Sequence, residues 1–178
     1  MIRRFLILSL LLIFAGLDSV QARTMKMQRI NCTTHDSKEY CTSENGRILN
    51  GKVAVQREDG NLGSISNFKK GYRNGESLVY DGAGNLIERM YFRDGMKEGV
   101  CLYYHKNGKV WIAAPYTTGF LHGSVDIYDQ RGQTRGKFKY DRGNLKWGYC
   151  KHKGLSKIKY PNKNSTVEYN QLVTCGAK

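Results

Sequence analysis

The chain has 178 residues, a net charge of +14, five cysteines, twenty glycines and only two prolines. No apolar run after the first 22 residues is long enough to span a bilayer, so the mature chain is expected to be soluble. The length left after those residues supports one domain.

Residues 1–22 read as a secretory signal. Arg3 and Arg4 precede an apolar run at 5–15, and Val20-Gln21-Ala22 places small residues before a cleavage expected after Ala22. Cleavage leaves 156 residues with a net charge of +13 and no transmembrane anchor. The protein is then secreted or periplasmic, where cysteines can pair.

Residues 23–50 read as an N-terminal cap. Cys32 and Cys41 are separated by eight residues, which suits a small disulfide-closed loop or hairpin. Asn45-Gly46 and Asn50-Gly51 are turn signals.

Residues 51–146 repeat with a period of 24. Gly51, Gly75, Gly99 and Gly123 form one register, Gly60, Gly84, Gly108 and Gly132 a second, and Gly71, Gly95, Gly119 and Gly143 a third. Aromatics keep the period at Phe68, Phe92, Tyr116 and Tyr140, and again at Tyr80, Tyr104 and Tyr128. Leu62, Leu86 and Val110 form a further register that lapses to Thr134. A fixed period of this size means an array of like supersecondary units. Each of the four units holds two runs rich in Val, Ile, Tyr and Phe, separated by Asp59-Gly60, Asn107-Gly108 or an equivalent, and reads as a β-hairpin. The Gly-x-x-x-Gly stretches GYRNG, GMKEG and GFLHG are expected to turn the chain into the next unit. The predicted fold is all-β, an antiparallel meander of about eight strands forming a curved sheet between two caps.

Within a hairpin, a one-residue slip exchanges the two faces. The register that best segregates apolar from charged residues puts Tyr80, Leu86, Met90 and Phe92 on one face, continued by Tyr104, Val110, Ile112 and Tyr116. Arg89, Arg135, Lys137 and Lys139 then lie opposite. A two-residue turn at Asn107-Gly108 favours mixed faces instead. Pro115 lies in a predicted strand and marks an edge or a bulge. Cys101 takes the place of Val53, Ser77 and Val125 and reads as a small buried thiol.

Residues 147–178 leave the period and read as a C-terminal cap, with Cys150 and Cys175 as its disulfide. The run at 79–99, with Tyr80, Gly84, Leu86, Tyr91-Phe92, Gly95 and Gly99, resembles the MORN-repeat variant of the YwqK-type antitoxin group, and the next unit matches with Tyr104, Gly108, Val110, Tyr116, Gly119 and Gly123. The resemblance covers 51–146 and implies a curved sheet of hairpins acting as an interaction module, through protein or lipid contact. An antitoxin- or immunity-like role is its alternative. The YDGAGNL string is also similar to the YD-type repeats of large secreted toxins, whose arrays are far longer.

No catalytic or cofactor motif accompanies the repeat. The four histidines lack a His or Cys partner at metal spacing, and His122 falls at a variable turn position that reads as solvated. Charge is more informative. Residues 131–163 hold eleven basic residues and one acidic residue, whereas 51–130 are nearly balanced. The basic set Arg135, Lys137, Lys139, Lys146, Lys151, Lys153, Lys157 and Lys159 is a candidate surface for an anionic partner, with salt-sensitive binding. The leading expectation is an exported, non-enzymatic protein that binds a protein partner. Binding of an anionic envelope polymer or lipid head groups through the basic end is the alternative. Export makes nucleic acid a scarce partner.

Overall fold

The computed structural model describes residues 27–36, 38–151 and Cys175. The apolar run at 5–15, its cleavage site and most of the C-terminal cap lie outside the described residues. Fourteen strands form one open sheet. They are β1 (Met27–Gln28), β2 (Ile30–His35), β3 (Lys38–Ser43), β4 (Gly51–Gln56), β5 (Leu62–Lys69), β6 (Tyr72–Tyr80) and β7 (Leu86–Arg93). The chain continues with β8 (Met96–Lys97), β9 (Gly99–Tyr104), β10 (Val110–Thr117), β11 (Phe120–Leu121), β12 (Gly123–Tyr128), β13 (Thr134–Asp141) and β14 (Asn144–Cys150). The sheet runs β1-β4-β5-β6-β7-β9-β10-β12-β13-β14, and every array pair is antiparallel. The all-β hairpin architecture read from the period is the one found. The strands outnumber the expected eight because the cap hairpin adds β2 and β3, the Gly-x-x-x-Gly stretches add β8 and β11, and β1 and β14 extend the two ends of the sheet.

All twelve repeat glycines have positive φ, and they do three different jobs. Gly60, Gly84, Gly108 and Gly132 end three-residue loops, each donating its N–H to the carbonyl three residues back. This is a turn followed by a left-handed residue, and it inserts a bulge in the returning strand. Gly71, Gly95, Gly119 and Gly143 follow Lys70, Asp94, Thr118 and Arg142, which also have positive φ. These are two-residue turns, as Lys69↔Tyr72, Arg93↔Met96, Thr117↔Phe120 and Asp141↔Asn144 pair directly around them. At Gly95 a Cβ would lie 2.9 Å from the Glu39 carbonyl and from the Tyr72 ring, so packing as well as φ excludes a side chain. Gly51, Gly75, Gly99 and Gly123 open each unit. Gly51, Gly75 and Gly123 pair with Phe68, Phe92 and Tyr140, and Gly99 pairs with Tyr116. The first glycine register and the first aromatic register are therefore direct cross-strand partners.

The Gly-x-x-x-Gly stretches turn the chain at their first glycine, as expected, and run on as strands. Tyr72–Asn74 belongs to β6, while Met96–Lys97 and Phe120–Leu121 are β8 and β11. Each supports the next unit. The turn glycines Gly71, Gly95, Gly119 and Gly143 donate to the carbonyls of Leu49, Arg73, Lys97 and Leu121 at 2.8–2.9 Å. A second ladder runs beside it, with Asn50 and Glu98 side chains accepting from the backbone of Lys70 and Thr118. His122 holds that register and lies 3.5 Å from the Arg142 N–H, so it belongs to the ladder rather than to a free loop. Residues 48–50 already occupy the place of 72–74, and the repeat extends into the cap.

Pro115 lies in an interior strand, paired with Val100 of β9. Its carbonyl accepts from His122 on the other side, where the pairing of β10 passes from β12 to β11. The N–H that proline lacks would point to that break. The edge expectation does not hold, and in place of a bulge there is this break in the pairing on one side of the strand.

The loop bulges also decide the faces. Val79 pairs with Glu88 but Tyr80 with Leu86, so Ile87 is the extra residue; Trp111 is extra in the next unit. The buried face carries Val79, Met90, Phe92, Cys101, Tyr103, Ile112 and Tyr116. Met90, Phe92, Ile112 and Tyr116 are where the sequence put them. Tyr80, Leu86, Tyr104 and Val110 are not: Leu86 and Val110 pair with the two tyrosines, and the bulge shifts the inner position back by one residue, to Val79 and Tyr103.

Three clusters line this inner face. Cys41 and Leu49 of the cap pack on Val53 and Phe68. Met90, Phe92 and Cys101 fill the middle. Ile112, Val125, Ile127, Phe138, Tyr140 and Leu145 form the largest cluster, closed by Cys175. Burying each large aliphatic or aromatic side chain there is worth about 1.5–3 kcal/mol. Both expected disulfides form, Cys32–Cys41 and Cys150–Cys175. They suit an oxidising compartment. Cys101 is free and fully buried, and burial pushes its thiol pKa up. No helix among the described residues is long and apolar enough to cross a membrane.

Candidate interaction surface

The face opposite the clusters takes its character from one sequence position. Tyr80, Tyr104 and Tyr128 each end the first strand of a hairpin and pair with Leu86, Val110 and Thr134 across the loop. The tyrosine and leucine registers of the repeat are thus direct cross-strand partners. Two strands separate successive tyrosines, so the row advances by about 9.6 Å per unit. All three rings are half-buried.

Charged and aromatic groups fill the ground around them. Arg89 pairs with Glu76 at 2.6 Å and lies 5.9 Å from the centre of the Tyr91 ring. Hydrogen bonding to Glu76 raises the Arg89 pKa, and Tyr91 and Tyr104 add to the effect, which places all four groups together. Lys137 is held by Asp126 at 3.0 Å, and that bond raises its pKa, with Tyr149 and Tyr128 nearby. Tyr91, Val100 and Trp147 are 38%, 47% and 44% exposed. Alternation along their strands puts Tyr91 with Arg89, Val100 with Leu102 and Trp147 with Tyr149, on this same outer face.

The basic end is less free than its composition suggests. Lys137 and Lys139 share the outer face, as expected. Arg135 is the extra residue of its bulge and turns to Asp129 in the loop, at 2.8 Å. The backbone N–H groups of Gln133 and Arg131, then Arg135, hold the Asp129 pKa below the usual carboxylate range. Lys146 is 3.4 Å from Asp141. Lys139 and Lys151 are exposed and make no ion pair among the described residues. Lys153, Lys157 and Lys159 lie outside the described residues. The free basic row expected from sequence is therefore corrected: its partners Asp126 and Asp129 come from the segment that looked balanced, and cross-strand pairing joins the two segments.

Among the described residues, one group has the composition of a metal site, Cys32, Glu39 and Cys41. The disulfide uses both sulfurs, so neither cysteine offers a thiolate there. Glu39 is bonded to Arg73. His122 and Asp141 lie 3.4 Å apart on the exposed surface. No protein family, curated protein or solved structure matches this chain.

Proposed function

We propose that the chain is an exported, non-enzymatic repeat protein that binds a protein partner through the outer face of its sheet. The observation that carries this reading is the row Tyr80, Tyr104 and Tyr128, set among Arg89, Tyr91 and Trp147 on the face opposite the buried clusters of the described residues. Tyrosine, tryptophan and arginine dominate the energetics of protein interfaces. Tyrosine and tryptophan supply large amphipathic area with little rotamer entropy to lose. The resemblance to MORN-type repeats supports the same reading, since such repeats are described as interaction modules. The two disulfides support export.

The test is a cross-linking pull-down from source envelope extract with the mature protein, at low and high salt. A partner held at both salts, and lost from the folded double variant Tyr104→Ser, Trp147→Ser, is the expected result. No partner, or capture indifferent to both substitutions, overturns the reading.

The alternative is an anionic envelope polymer or lipid head group bound at the basic C-terminal end. Lys139, exposed and opposite Trp147 in register, is the observation in its favour. It predicts capture that disappears at high salt and with Lys139→Gln, Lys151→Gln.

A further inference from the structure

The inner face is closed at one end by Cys41 and Leu49 and at the other by Leu145 and Cys175. Between these ends lies a groove of about 470 Å³, bounded by the cap hairpin and by units two and three. That volume is in the range of small-molecule sites, roughly 300–1,000 Å³. Its lining includes Glu39, Arg73, Glu88, Phe92, Lys97 and Tyr116.

Two of these charges are already used. Arg73 is 13% exposed at its side chain and bonds Glu39, Ser66 and Ser77, with the Phe68 and Phe92 rings 5.3 and 5.7 Å away. The other two are not. Glu88 is half-buried in β7, between Val79 and Tyr103, and takes no hydrogen bond or ion pair from any described residue. Lys97 is half-buried, makes no ion pair among the described residues, and holds its Nζ 5.1 Å from the centre of the Tyr116 ring. Tyr103 and Tyr116 lie beside each other and near Glu88. The groove thus carries one unpaired carboxylate and one unpaired ammonium that do not satisfy each other, beside the apolar wall of Met90 and Phe92. Half-burying either ion alone is costly. A ligand with its own ammonium and carboxylate satisfies both and leaves the site neutral.

We propose that this groove binds a small zwitterion with an apolar side chain, a free α-amino acid or an unblocked dipeptide. Its ammonium meets Glu88 and the tyrosine hydroxyls, its carboxylate meets Lys97, and its side chain meets Met90 and Phe92. This site is independent of the outer face and of any protein partner bound there.

The test is isothermal titration of the mature, disulfide-intact protein with leucine, dileucine, N-acetyl-leucine and leucinamide. Saturable binding of leucine or dileucine is expected, and whichever binds identifies the source. Blocking either end should weaken binding about tenfold or more, or about 1.4 kcal/mol. Glu88→Gln should abolish the preference over N-acetyl-leucine, and Lys97→Met the preference over leucinamide, with both variants still unfolding cooperatively in thermal melts. Partner capture by the outer face should be the same in both variants. No saturable binding of leucine or dileucine at millimolar concentration, or equal binding of free and blocked forms, overturns the proposal.

Discussion

The two halves of the inner face share one backbone and differ in chemistry. The positions held by Ser64, Ser66 and Arg73 in the first unit are Glu88, Met90 and Lys97 in the second. In the third they are Ile112, Ala114 and Leu121, and in the fourth Gly136, Phe138 and Leu145. The first half is held by a hydrogen-bonded polar seam, Ser66 to Ser77 at 2.7 Å with Arg73 and Glu39 above it. The second half is an apolar core. The glycine repeat therefore specifies where strands turn, and leaves each unit free to choose what it buries. Stability should concentrate where the units are apolar, and recognition where the seam gives way to unpaired charge.

The sharpest way to break this comparison is to truncate the same position in both halves. Phe138 is 1% exposed, and Phe138→Ala should cost about 3–5 kcal/mol. Ser66→Ala removes one hydroxyl from the seam and should cost about 1–2 kcal/mol. Equal losses in urea titrations would mean that the core is shared evenly. Next come the caps. The Cys150–Cys175 bridge spans 25 residues and Cys32–Cys41 spans nine. Chain entropy predicts losses of about 3.5 and about 2.6 kcal/mol for their Ser pairs. The reverse order in thermal melts would show that the N-terminal cap, not the apolar half, is the keystone.

Cation replacements probe the boundary between the halves. Arg73→Met strands the Glu39 carboxylate and removes one donor from the serine pair, and should cost about 2 kcal/mol. Lys97→Met loses only a ring contact, about 0.5–1 kcal/mol. A larger loss at Lys97 would reveal a partner for it within the fold.

An effect of similar small size is expected at Tyr140. Its hydroxyl is buried with no hydrogen-bond partner among the described residues, and burial pushes its pKa up to about 12. The folded state thus holds the proton more tightly than the unfolded chain, whose tyrosine titrates near about 10. The resulting stability is complete below that value and is lost as pH rises through about 12. Tyr140→Phe should gain about 1 kcal/mol at neutral pH, by removing the unsatisfied hydroxyl, and should blunt the alkaline loss of stability.

The glycine registers were legible because positive φ is a local demand that few other residues meet. The disulfides were legible because their cysteines flank the array. The faces were not. One extra residue per loop, Ile87 or Trp111, carries no distinctive side chain yet moves the inner position from Tyr80 to Val79 and from Tyr104 to Tyr103. The groove was hidden for another reason. Its wall is the cap hairpin, which crosses the sheet at Tyr40↔Tyr72 and bonds Gly95 through Glu39. Such contacts span more than a full repeat, beyond the reach of any local pattern. The pairing of Arg135 and Lys137 with Asp129 and Asp126 was hidden because a tally along the chain cannot see across strands.

The ladder from each turn glycine to the preceding unit makes every hairpin both a guest and a host. Leu121 offers Gly143 the carbonyl that Leu49 offers Gly71. A gene segment encoding 24 residues could therefore be duplicated or lost anywhere within the array, and the junction would present the same acceptor to the same donor. Chains of this design can change length by recombination between their own repeats without inventing a new contact. A step of 23 or 25 residues would instead misalign every downstream turn.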